Sequence, residues 1–196
     1  MSGGIRCFVA LLLPDELREA VWDHFTREGR RIPGVRWVAA ENLHLTLQFL
    51  GEVDPGRLPG VRKALDAAVI GHEAFRLGLR GAGAFPSPER PRVIWVGAGG
   101  GGAAAVSLAA SVAAALASLG FTPDGRPFVP HLTVGRVGDP PRDRGPLRRL
   151  LEAVRDRDWG GHLIPAAHLM RSELFPAGPI YSILHEARLP AIPRQA

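Results

Sequence analysis

The sequence contains one cysteine, one lysine and one tyrosine in 196 residues. Cys7 alone cannot close an internal disulfide. It lies in the apolar run Ile5 to Leu13 and reads as a packed, reduced thiol, which points to a cytoplasmic home. Lys63 is the single lysine, and no glycine run is followed by lysine, which excludes a Walker-type phosphate loop. No stretch approaches the roughly 20 apolar residues that a membrane-spanning helix needs, so no membrane partner is expected. The run Cys7 to Leu13 is short for a secretory signal, follows a single Arg6, and leads into Asp15 and Glu16 without a small-residue cleavage pattern. HExxH, paired cysteines and clusters of histidine or carboxylate at ligand spacing are also missing, so neither a metal nor another cofactor is expected.

What is present is an ordinary globular composition. Residues 1–196 suit one domain or two small interlocked lobes, and 46% hydrophobic residues can fill a core. A formal charge of +5 and a pI of about 10.8 favour an anionic partner such as a nucleotide or RNA. The arginines at 142, 144, 148, 149, 155 and 157 alternate with Asp139, Asp143, Glu152, Asp156 and Asp158. That pattern describes a solvated helix of mixed charge.

Periodicity gives alternating elements. Ile5 to Leu13 reads as a strand, and Pro14, Asp15 and Glu16 open a helix to about Arg30 with Leu17, Val21 and Phe25 on its buried stripe. Strands follow near 43–50, 75–79, 92–96, from His131, and near 168–174 and 180–189. Helices are expected near 58–69, 103–119 and 147–155.

Two of these strands carry the same signature. HLTLQFLG begins at His44 and HLTVGR at His131, although the chain has only seven histidines. Successive strand side chains point to opposite faces, so Leu43, Leu45, Leu47 and Phe49 build core while His44, Thr46 and Gln48 face outward. His131 and Thr133 repeat the arrangement against Leu132 and Val134. Two such strands side by side line one cleft with two imidazoles and two hydroxyls. His24-Phe25-Thr26 is an internal control: it falls in the first helix, where a two-residue step turns the side chain by roughly 200° and separates the pair. Each strand motif follows a helix and precedes a helix and two strands, as in a duplicated half.

These residues resemble the two-histidine phosphoesterase superfamily, and more closely the bacterial and archaeal RNA 2',3'-cyclic phosphodiesterases (2'-5' RNA ligase, LigT-like). The resemblance runs through RCFVALLLPDELREAV, ENLHLTLQFLGEV, GAFPSPERPRVIWVG, PFVPHLTVGRV and SELFPAGPIYSIL. It implies a two-lobed α/β (α+β) fold with pseudo-twofold symmetry, in which two antiparallel sheets form a V-shaped cleft with helices outside. It also implies action on RNA or nucleotides with 2',3'-cyclic phosphate ends, and possible reversal to 2'-5' ligation; a monomer, with residues 1–196 as a single two-lobed domain, is expected.

The chemistry suits the residues. Opening a cyclic phosphodiester needs a proton removed from water, a proton given to the departing ribose oxygen, and donors for the non-bridging oxygens. Two histidines can serve both proton steps near neutrality, and the hydroxyls of Thr46 and Thr133 can donate to the phosphate. By resemblance His44 is the acid and His131 the base. Arg136 matches an arginine of the family's second motif. Strict alternation sends it away from His131, so it helps only where the strand bends near Gly135. Tyr181 and Phe85 are candidates to contact or stack on a base, with core packing the favoured role for Phe85. His72, His162, His168 and His185 read as surface or structural.

Two other functions fit less. Gly97-x-Gly99-x-x-Gly102 after an apolar strand has the outline of a dinucleotide-binding fingerprint, but four consecutive glycines satisfy that pattern easily and Asp124 falls in a turn. A binding module for RNA or nucleotides, using the same cleft without turnover, remains an alternative.

Overall fold

The computed structural model of the chain describes residues 3–30, 32–123, 125, 127–138 and 143–191. Asp124, Asp139 and Arg142, named above, lie outside them. In chain order the elements are β1 (Ile5–Leu11), α1 (Asp15–Gly29), β2 (Val35–Trp37), β3 (Leu45–Val53), α2 (Leu58–Val69), β4 (Phe75–Phe85), β5 (Val93–Ala98), α3 (Gly102–Ala117), β6 (His131–Val137), α4 (Gly145–Ala153), β7 (Asp158–Ile164), β8 (Ala166–Phe175) and β9 (Gly178–Arg188). No helix among the described residues is long and apolar enough to cross a membrane.

The strands form two antiparallel sheets, ordered β3-β1-β8-β9 and β2-β6-β5-β4-β7. The run β6-β5-β4-β7 repeats the order of the first sheet, with β5 standing for β1 and β6 for β3. Each motif strand therefore follows a strand and a helix and pairs with the strand that precedes that helix. This is the duplication the sequence suggested. The two motif strands belong to different sheets yet touch one another.

Each sheet turns one face to the helices. On α1 Leu17, Val21 and Phe25 are buried at four-residue intervals, and on α3 Ala105, Leu108, Ala109, Val112 and Leu116 are buried. With Cys7, Val9 and Leu11 of β1 and Ile94 and Val96 of β5 they form one contiguous core, to which each fully buried leucine contributes roughly 1.5–3 kcal/mol. The opposite sheet faces are left for the site. On the first sheet that face holds a separate small cluster of Phe8, Ala10 and Met170, with Leu12 and Tyr181 against it.

Two strands were not expected. Three-residue β2 is too short to show alternation, and β7 (DWGGHLI) carries two glycines and an exposed histidine in its middle. The face of the residues after Thr46 is also reversed. β3 shifts register against β1 between the Thr46 and Gln48 pairings, leaving Leu47 as an extra residue, so the alternation inverts. Gln48 is buried, with Nε2 donating to the Phe121 carbonyl at 3.1 Å, while Phe49 is 56% exposed.

The glycine run has a structural task. Gly78 N–H donates to Gly100 O at 2.7 Å, and Gly99 N–H donates to Gly78 O at 2.8 Å. Main-chain groups that would cradle a dinucleotide are thus spent on β4. Gly101 adopts φ 82°, and a Cβ there would meet Arg76 O at 2.0 Å, whereas a Cβ on Gly100 would meet nothing within 4 Å. Gly101→Ala should therefore cost about 2 kcal/mol or more in chemical denaturation, and Gly100→Ala less than about 1. Equal losses would show that the close approach to Arg76 O does not set the cost at Gly101.

Candidate active site

His44 immediately precedes β3. Its Nδ1–H donates to the Asn42 carbonyl at 2.8 Å, and its Nε2 accepts from the Thr46 hydroxyl at 3.0 Å. Asn42 is itself fixed, its side-chain amide donating to Pro179 O at 2.9 Å just before β9 continues to Tyr181. The imidazole stacks on Phe8 at 4.8 Å and meets the edge of Tyr181 at 5.2 Å, and Phe8 and Tyr181 touch at 5.0 Å. Rings from β1, from β9 and from the residue just before β3 thus pack against one another.

His131 opens β6 and repeats the first hydrogen bond: Nδ1–H donates to the Val129 carbonyl at 2.7 Å. In both motifs the acceptor lies two residues upstream. This fixes the neutral tautomer with its lone pair on Nε2. Phe85 presents a ring 5.0 Å from His131 and 5.2 Å from Trp95. The expectation of core packing for Phe85 is corrected: it lies on the open face of its sheet, beside the imidazole.

Strand register explains Arg136. On β5, Ile94 and Val96 are fully buried, while Val93, Trp95 and Gly97 take the open face. Their partners on β6 are Arg136, Thr133 and His131, with the register slipping between Gly135 and Thr133. Val134 is the extra residue. The bulge inverts the alternation so that Arg136 rejoins the face of His131 and Thr133, the bend that the sequence left as a condition.

Electrostatics tie these groups together. Burial pushes His44 down to about 4, partly offset by the Asn42 hydrogen bond, and the Arg136 charge lowers it further. His131 is lowered by the same causes in the same order, with Val129 as the acceptor. Burial raises the Tyr181 hydroxyl, against the pull of Arg136 and Arg6. Arg136 thus acts on both imidazoles and the phenol. At neutral pH both imidazoles are uncharged beside a cation, an arrangement that receives an anion readily.

Four of the other histidines fall elsewhere. His24 lies on α1, hydrogen-bonded to Arg157 at 2.9 Å and edge-on to Trp159 at 5.2 Å, while Thr26 back-bonds to Trp22 O. His72 bonds Ser111, His185 bonds Asp66, and His162 is exposed. His168 is buried on the Thr46 side of the first sheet, 3.7 Å from Glu186. No group of three or more His, Cys, Asp or Glu suited to a metal occurs among the described residues. Sequence reasoning missed Phe8 and Trp95, although alternation along Cys7-Phe8-Val9 and Ile94-Trp95-Val96 puts both rings opposite the core.

Comparison with known proteins bears on the family and the fold. A family model described as LigT like Phosphoesterase matches residues 15–95 and 98–181, one motif in each segment. The chain is 37% identical over 189 residues to the RNA 2',3'-cyclic phosphodiesterase of Methanothermobacter thermautotrophicus, covering 94% of this chain and 99% of the relative. Among solved structures, TT0787 of Thermus thermophilus superposes with a TM-score of 0.79 at 31% identity, covering 95% of this chain and 99% of that one. E. coli LigT complexed with 3'-AMP superposes with a TM-score of 0.75 at 28% identity, covering 95% and 98%.

The enclosure of His44 has a measurable consequence. In an imidazole NMR titration His44 should stay neutral down to about pH 4. Phe8→Ala, which admits water to the ring, should return the midpoint toward 6.5. An unchanged midpoint in that variant would show that Phe8 does not keep the imidazole dry.

Proposed function

The chain belongs to the LigT-like phosphoesterase family, and on that premise we propose that it hydrolyses the 2',3'-cyclic phosphodiester at an RNA or nucleotide end to a 2'-phosphomonoester. The observation that carries the reading is the repeated Nδ1–H to carbonyl hydrogen bond, which aims two Nε2 lone pairs from two touching strands. Relatives named RNA 2',3'-cyclic phosphodiesterase and the 3'-AMP complex of E. coli LigT support the substrate class.

In this mechanism His131 Nε2 takes a proton from water as the water oxygen attacks phosphorus. His44 gives a proton from Nε2 to the 3'-oxygen as its bond to phosphorus breaks. Thr46 and Thr133 donate to the non-bridging oxygens, and Arg136 balances the growing charge. A ribose hydroxyl in place of water would run the same steps toward a 2'-5' linkage. No step calls on a metal.

His44 is neutral in the free enzyme above about pH 4, with no proton on Nε2. The acid form arises when the substrate anion enters, because a nearby negative charge favours imidazolium. The sign of the pH dependence follows. Once pH exceeds both lowered midpoints, the free enzyme must take up one proton for each productive encounter. Log kcat/KM should then fall by about one per pH unit between roughly pH 7.5 and 9. A flat profile through that range would overturn the assignment of His44.

Substitution tests the site itself. His44→Ala and His131→Ala should each lose about 10² to 10⁴ in rate on a 2',3'-cyclic nucleotide, while His24→Ala at matched stability keeps its rate. Turnover should persist in excess chelator. Tight binding of the cyclic nucleotide without turnover would instead favour the binding-module alternative, and activity restored only by an added divalent ion would sink the metal-independent scheme.

A further inference from the structure

We propose that Arg36 and Arg136 together clamp the phosphodiester next to the reacting phosphate, so that the preferred substrate is an oligonucleotide ending in the cyclic phosphate rather than a free cyclic mononucleotide. The proposal rests on the reading of the cleft given above.

Three observations lead to it. First, Arg36 of β2 is the direct register partner of Arg136 of β6, flanked by the Val35–Val137 and Trp37–Gly135 pairs. Directly opposed residues share a face. Arg36 therefore stands on the open face of His131, Thr133 and Arg136, while Val35 and Trp37 turn to the core. Second, two exposed cations face each other where like charges oppose folding. Neither forms an ion pair with a carboxylate among the described residues. Third, β2 is a firm base for Arg36. Trp37 packs on Phe25 at 5.7 Å, and its Nε1–H donates to Gly29 O at 3.3 Å. A Cβ on Gly29 would come within 2.2 Å of the indole, so the edge strand is seated on α1 through that glycine.

The two arginines then divide the work. The Arg136 charge reaches His44, His131 and Tyr181, whereas Arg36 is not a cause of the shift at any of them. Arg36 sits one strand farther out, about 4.8 Å. Guanidinium forks on adjacent strands can each take a non-bridging oxygen of one phosphodiester. A cyclic mononucleotide has only the reacting phosphate, which Arg136 already serves, and leaves Arg36 without a phosphate. An oligonucleotide supplies a second phosphate, and its chain would leave the cleft across the β2 edge.

The test compares wild type, Arg36→Gln, Arg36→Lys and, as a surface control on the exposed side of α2, Arg62→Gln. KM is measured with a 2',3'-cyclic mononucleotide and with an oligonucleotide carrying the same end. Affinity for a 3'-phosphorylated oligonucleotide is measured by fluorescence anisotropy over a salt series. Arg36→Gln should raise the oligonucleotide KM about 10-fold more than the mononucleotide KM, and should reduce the slope of log affinity against log salt by about 0.7. Arg36→Lys should recover part of both, and Arg62→Gln should match wild type. Equal KM increases for both substrates would place Arg36 at the reacting phosphate and overturn the proposal, as would unchanged KM and slope. Absence of turnover by wild type would count against the proposed function, and anisotropy would still decide the arginine pair.

Discussion

Each motif imidazole is oriented by one hydrogen bond, from Nδ1–H to the carbonyl two residues earlier in the chain. Most of the site depends on it. The bond selects the tautomer, aims Nε2, and keeps a buried ring from leaving a polar atom without a partner. It needs the chain just before each strand to be held still. Before β3 the hold comes from Asn42 reaching Pro179 O, which ties the first motif to the strand bearing Tyr181. The β9 segment is thereby coupled to the orientation of His44 although it lies far along the chain.

The duplicated halves are alike in backbone and unlike in surroundings. His44 is shut between Phe8 and Tyr181 and bonded to its own threonine, while His131 meets, among the described residues, one aromatic ring, that of Phe85. Both are lowered chiefly by burial. Two copies of one motif thus reach different environments through their neighbours, and such a difference allows two identical side chains to take unlike parts in a proton exchange.

The motifs were legible in the sequence because two-residue alternation is a strong signal over four or five residues. His44 with Thr46, and His131 with Thr133, fall where it placed them. Beyond that length it failed, for the same reason in both strands. The extra residues Leu47 and Val134 invert the faces, burying Gln48, exposing Phe49 and returning Arg136 to the open side. A bulge is set by twist and by packing against the partner strand, and neither motif spells it. Helices were clearer: the range 58–69 coincides with α2, whose buried Leu58, Val61, Leu65, Ala68 and Val69 recur at helical spacing. β2 and β7 were hidden by brevity and by glycine, and Phe85 was misread because a ring before proline carries no sign of which face it takes.

The three-residue length of β2 also bears on how copies of the protein behave in crowded solution. Unpaired edge amides are templates for strands of other molecules. β2 offers few of them, and Arg36 at its centre brings a charge that a joining strand would have to cover. At the far edge of the same sheet β7 is interrupted by Gly160 at φ 93°. A sheet whose open face must remain accessible is thus bordered by strands poorly suited to recruit another, which favours colloidal stability without closing the face.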